Sequence, residues 1–103
     1  MVSCTSIVRR PFYHEKKKLD DRHLIELELW QVPKNAATPE GVKYSLVLVR
    51  DGIRVVGYDN HERKGHHKHL FGKELPYTFT TVEALVKEFR ALVDKILNEG
   101  GKV

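Results

Sequence analysis

Apolar and polar residues alternate along Leu24-Ile25-Glu26-Leu27-Glu28-Leu29-Trp30-Gln31-Val32, with Ile25, Leu27 and Leu29 on one side and Glu26 and Glu28 on the other. A two-residue period of this kind marks a half-buried strand of an antiparallel sheet. Phe12 to Lys18 reads as a strand before it, with a turn at Asp20-Asp21. The stretch from Pro33 to Gly41 carries Pro33, Asn35, Pro39 and Gly41 and reads as a loop. Tyr44 to Arg50 and Ile53 to Tyr58 are further strands, joined by Asp51-Gly52. That dipeptide suits a type I′ hairpin turn, which needs positive φ at both central positions. His67 to Phe71 predicts a short edge strand after a turn at Gly65, and Gly72 and Pro76 then break the chain.

The period changes near the C-terminus. Val82, Leu85, Val86, Phe89, Leu92, Val93 and Ile96 recur at helical spacing, with Lys87, Glu88, Arg90, Asp94 and Lys95 mainly on the other side. Thr80 followed by Glu83 fits a capping box with Thr80 as N-cap, and Gly100-Gly101 ends the helix. The expected fold class is therefore α+β: an antiparallel meander of about four strands followed by one amphipathic helix on one face. Residues 1–103 form a single domain, with 1–11 and 99–103 expected to be disordered. One helix cannot cover both faces of such a sheet. Trp30, Val47 or Val49, and Val56 are expected to point away from it. That face is then left for a partner, a second copy of the chain, or the N-terminal segment.

Composition narrows the class without choosing a function. The 103 residues are 41% hydrophobic and 31% charged, as in a soluble globular protein. The single cysteine, Cys4, excludes an internal disulfide. No apolar run approaches the roughly 18 residues of a membrane span, and Met1 to Arg10 lacks the apolar core of a signal peptide. A cytoplasmic location is expected. The net charge of +4 suits either nucleic acid or an acidic protein partner. Glycine loops for nucleotides and a Gly-x-Ser-x-Gly elbow are absent.

Candidate chemistry concentrates in Tyr58-Asp59-Asn60-His61-Glu62-Arg63-Lys64-Gly65-His66-His67-Lys68-His69, which holds four of the six histidines. The bland reading is a solvated loop, in which Asp59-Asn60 simply ends a strand and starts a turn. The sharper reading is metal-independent cleavage of RNA. It needs a base for the 2′-hydroxyl, an acid for the leaving oxygen, and cations for the phosphorus-centred transition state. His67 and His69, two residues apart, share one face of an extended segment and supply the acid–base pair. Lys64 joins them as a catalytic cation, with Lys68 and Arg63 holding phosphate. Asp59 orients a histidine, and Tyr58 and His66 contact substrate. No cofactor is expected. If a metal is bound, zinc at His67, His69 and His61 is the natural choice, with Glu62 or Asp59 as alternative third ligands, and hydrolysis is then metal-dependent. A third class is a binding module that acts through the open sheet face. Trp30, Tyr77 and Phe79 read as packing residues.

The order Tyr44-Ser45-Leu46, hairpin, Tyr58-Asp59-Asn60, Lys64-Gly65-His66-His67-Lys68-His69, Pro76-Tyr77-Thr78-Phe79 and amphipathic helix resembles the TumE family over roughly Phe12 to Leu97. Lys64, His67 and His69 match the family pattern, while position 66 varies between Asp and His. The family consists of small toxins of bacterial toxin–antitoxin pairs. The resemblance implies a cytoplasmic toxin neutralised by an antitoxin that carries a helix-turn-helix domain. RNA cleavage is an analogy with other small toxins of similar build. A homodimer through the open sheet face is the other expected association.

Overall fold

The computed structural model describes residues 12–34, 36, 39–61 and 65–100. Six strands form one antiparallel sheet in chain order: β1 (Tyr13–Lys18), β2 (His23–Gln31), β3 (Val42–Arg50), β4 (Ile53–His61), β5 (Gly65–Leu70) and β6 (Lys73–Pro76). One helix, α1 (Val82–Gly100), follows. The α+β meander with one covering helix is as the sequence predicts, but the sheet has six strands, not about four. Two features account for the difference. Phe71 and Gly72 both have positive φ, 48° and 84°. They therefore turn the chain into β6, which pairs back onto β5. The edge is thus β6, and β5 lies inside the sheet. In addition, β4 continues past Tyr58 to His61 because Asn60 does not start a turn. Its buried side chain accepts a hydrogen bond from Tyr44 N (2.9 Å) and donates one to Val42 O (2.7 Å).

The hairpin at Asp51-Gly52 has φ of 53° and 81°, as its type requires. Beyond it, Val49 pairs with Arg54 but Leu48 pairs with Val56. Val55 is the extra residue of a β-bulge, which reverses the facing of everything after it on β4. Val56 consequently points toward the helix and is fully buried, contrary to the expectation from simple alternation. Trp30, Val47 and Val49 lie on the opposite face, half-buried.

Ile25, Leu27 and Leu29 of β2, Tyr44, Leu46 and Leu48 of β3, and Val56 and Tyr58 of β4 form the sheet's share of the core. Leu85, Phe89, Val93 and Ile96 of α1 pack onto them. Each fully buried Leu or Phe contributes roughly 1.5–3 kcal/mol to folding. Arg90 adds a tie from α1 to β1 through Glu15 Oε1 (2.7 Å). Residues 1–11 and 101–103, expected to be disordered, lie outside the described residues, and 99–100 belong to α1.

Helix α1 starts one residue later than the capping box suggests. Thr81 Oγ1 accepts the amide hydrogen of Ala84 (3.0 Å), and Leu85 N bonds to Thr81 O. Thr81 is therefore the N-cap. Thr81→Ala should lower the unfolding free energy by about 1 kcal/mol, read from equilibrium urea unfolding. Thr80→Ala should shift it by less than about 0.5 kcal/mol, as for an exposed residue without a special role. Equal losses from both would place the cap wrongly.

Candidate functional site

The pairing of β4 with β5 decides which of the clustered residues meet. Tyr58 lies opposite Lys68, Asp59 opposite His67, Asn60 opposite His66 and Gly57 opposite His69. Cross-strand partners share a face. The run is therefore divided: Tyr58, Asn60, His66 and Lys68 point to the helix side, and Asp59, His67 and His69 to the uncovered side. The sequence-based expectation that His67 and His69 share a face with Asp59 nearby agrees with this geometry.

On the uncovered side, His67 Nδ1 is 2.6 Å from Glu74 Oε2, on β6. A carboxylate only accepts, so Nδ1 carries a hydrogen, and in the neutral imidazole the lone pair is on Nε2. That Nε2 is buried and has no hydrogen-bond partner. Leaving a buried polar atom unpaired costs about 1–3 kcal/mol, so packing alone does not favour this arrangement. His69 Nε2 faces Asp59 Oδ2 at 3.7 Å. The two imidazole centres are 6.5 Å apart. Each histidine is thus beside its own carboxylate. Glu74 was not foreseen, because β6 was read as a chain break; a carboxylate two residues beyond a Phe-Gly turn is the signal that would have found it.

The helix side uses its polar residues differently. Tyr58 is fully buried and donates its phenol hydrogen to Glu88 Oε2 (2.7 Å). Burial, and then this bond, push the phenol well above its ordinary pKa. Lys68 reaches the same carboxylate (3.5 Å) and sits 5.5 Å from the Tyr58 ring centre. His66 packs against both Tyr44 and Phe79, with ring centres 5.7 and 5.0 Å away, and those two rings are 5.7 Å from each other. Its Nε2 donates to Glu40 Oε2 (2.9 Å), and its Nδ1 lies 2.8 Å from the Tyr44 hydroxyl oxygen. Tyr58, His66 and Lys68 therefore hold β4, β5 and α1 together and do not join His67 and His69. Arg63 and Lys64 lie outside the described residues, as does the His61 side chain.

Farther along the uncovered face, His14 Nε2 donates to Glu26 Oε2 (2.9 Å) and lies 3.9 Å from Glu28 Oε2. Among the described residues this is the group with metal-ligand spacing, and it lies apart from the histidine run.

A six-stranded antiparallel sheet with one covered face and three imidazole–carboxylate pairs on the other defines a small α+β protein with its titratable chemistry on a sheet surface. The chain belongs to the TumE toxin family: the family model described as Toxin TumE matches residues 4–97, nearly the whole chain. No curated protein and no solved structure gives a significant match. Among the described residues no helix is long and apolar enough to cross a membrane.

The His66 cluster has a measurable consequence. Burial raises the Glu40 carboxyl pKa, but the hydrogen bond from His66, a backbone bond and the imidazole charge outweigh it, leaving it below its ordinary 4.5. A depressed folded pKa stabilises the protein above the ordinary value and is lost as pH falls through the folded one. Lowering the pH from about 6 to about 3 should therefore cost Glu40→Gln less stability than the wild type, measured by urea midpoints at each pH.

Proposed function

We propose that this toxin acts on RNA as a metal-independent ribonuclease. The observation that carries the reading is the pair of histidines on one face, each beside a different carboxylate, with His67 Nε2 unpaired. Glu74 fixes the tautomer in which Nε2 is a base. His67 Nε2 takes the 2′-hydroxyl proton, and the 2′-oxygen attacks phosphorus. The bond to the 5′-oxygen then breaks, leaving a 2′,3′-cyclic phosphate. The His69 imidazolium, whose Nε2 faces Asp59, gives its Nδ1 proton to the departing 5′-oxygen. The His67 nitrogen is closed to solvent in this structure, so substrate binding must uncover it.

Arg63 and Lys64 stay in the proposal as cations for the phosphate, because segment 62–64 joins the two strands that carry Asp59 and His67. Tyr58, His66 and Lys68 are assigned supporting roles, given their contacts on the helix side. The family supports an antitoxin partner; that it carries a helix-turn-helix domain, and that the chain works in the cytoplasm, belong to the same proposal. A homodimer through the open face is the competing use of that surface.

His67→Ala should abolish growth inhibition on expression while unfolding with a midpoint close to that of the wild type. Purified wild type should cleave RNA equally with and without a chelator. Loss on chelation would transfer the chemistry to a metal, with zinc at His67 and His69 the first candidate. Full toxicity of His67→Ala would remove the site. No cleavage together with tight antitoxin binding would favour a module acting only through its open face.

A further inference from the structure

We infer that Arg54, laid along β4 over Gly57, is an anion subsite that holds the phosphodiester against His69; this rests on the ribonuclease reading above. The Asp51-Gly52 hairpin pairs Arg54 with Val49 on the uncovered face, and the bulge at Val55 brings Gly57, three residues on, to the same face. From there the Arg54 side chain runs forward along the strand. The three heavy atoms nearest to a Cβ added at Gly57 would all belong to Arg54: Cδ at 3.1 Å, Nε at 3.3 Å and Nη1 at 3.4 Å. Gly57 does not have a left-handed φ, so its backbone does not demand glycine. What lies over it is the Arg54 guanidinium, which a side chain at position 57 would displace. Glycine inside a strand weakens it by roughly 0.5–1 kcal/mol and often marks a close approach of this kind.

The place reached is the site itself. Gly57 is the direct cross-strand partner of His69 on one side and of Val47 on the other. Residues so paired have Cβ positions about 4.5–5.5 Å apart. Arg54 is exposed, and no carboxylate among the described residues forms an ion pair with it, although Asp59 and Glu26 share its face. An unpaired guanidinium with its donor fork free beside an acid–base pair suits bidentate contact with a phosphate. Lysine would supply the charge without the fork.

The test uses full-length His67→Ala, which binds without cleaving, and a single-stranded oligoribonucleotide of defined length. Arg54→Ala in that background should weaken binding about tenfold and lower the salt slope by about one. Arg54→Lys should restore the slope but only part of the affinity. Gly57→Ala should weaken binding as Arg54→Ala does while keeping the charge, and should add nothing to Arg54→Ala. It should also fold more stably with Arg54→Ala than alone, because the collision is with Arg54. Binding within twofold of the parent for Arg54→Ala, or additive effects of the two changes, would overturn the subsite while leaving the histidine assignment intact. A wild type that neither binds nor cleaves RNA would overturn both.

Discussion

The register between β4 and β5 is the constraint on which the candidate site depends. With Asp59 opposite His67 and Gly57 opposite His69, two histidines and a carboxylate converge on the uncovered face. A slip by one residue would send His66 and Lys68 there and bury His67 and His69 against the core. Nothing in the histidines themselves fixes that choice. It is fixed on the helix side, where the same strands place Tyr58 under Glu88 and Lys68, Asn60 onto the backbone of β3, and His66 against Tyr44 and Phe79.

The polar residues of the run therefore divide by function along the two-residue period. One set faces the helix and is bonded, and makes the register expensive to leave. The other set faces away from the helix, and within it His67 Nε2 has no hydrogen-bond partner. A buried polar network that is fully paired specifies structure. A group held in place but short of a partner is suited to accept a proton from something else. The first set supplies the rigidity that the second needs, because acid–base geometry tolerates little displacement.

Much of the fold was legible in the sequence because it rests on local rules. Asp51-Gly52 predicts its own φ values, the 24–32 alternation predicts its face, and the apolar stripe predicts α1. The pairing of His67 and His69 on one face also follows from local alternation. What escaped depends on contacts between distant strands. The bulge at Val55 inverts Val56 and turns Gly57 to the face of Arg54, and it lies in the pairing between β3 and β4. Asn60 looked like a turn residue because its bond to β3 is invisible in one dimension. Glu74 was hidden because Phe71 adopts a positive φ that a bulky residue rarely takes, so the hairpin into β6 lacked its usual signature. Tyr58, His66 and Lys68 were grouped with the other histidines by nearness in sequence, which on a strand is a poor guide to nearness in space.

The uncovered face is the necessary result of one helix serving a six-stranded sheet, and the candidate site lies on it. Val47 and Val49 sit on that face with His67 and His69, half-buried, and among the described residues no second layer covers them. Apolar surface next to a charged site is stable only while it stays small or becomes covered. Any partner that covers the valines must also lie across the neighbouring strands and close access to the imidazoles. For a toxin this links the two demands placed on it. On the proposed reading, the surface that takes an extended substrate is also one that a neutralising partner would cover, so occlusion of the site would need no separate regulatory element among the described residues.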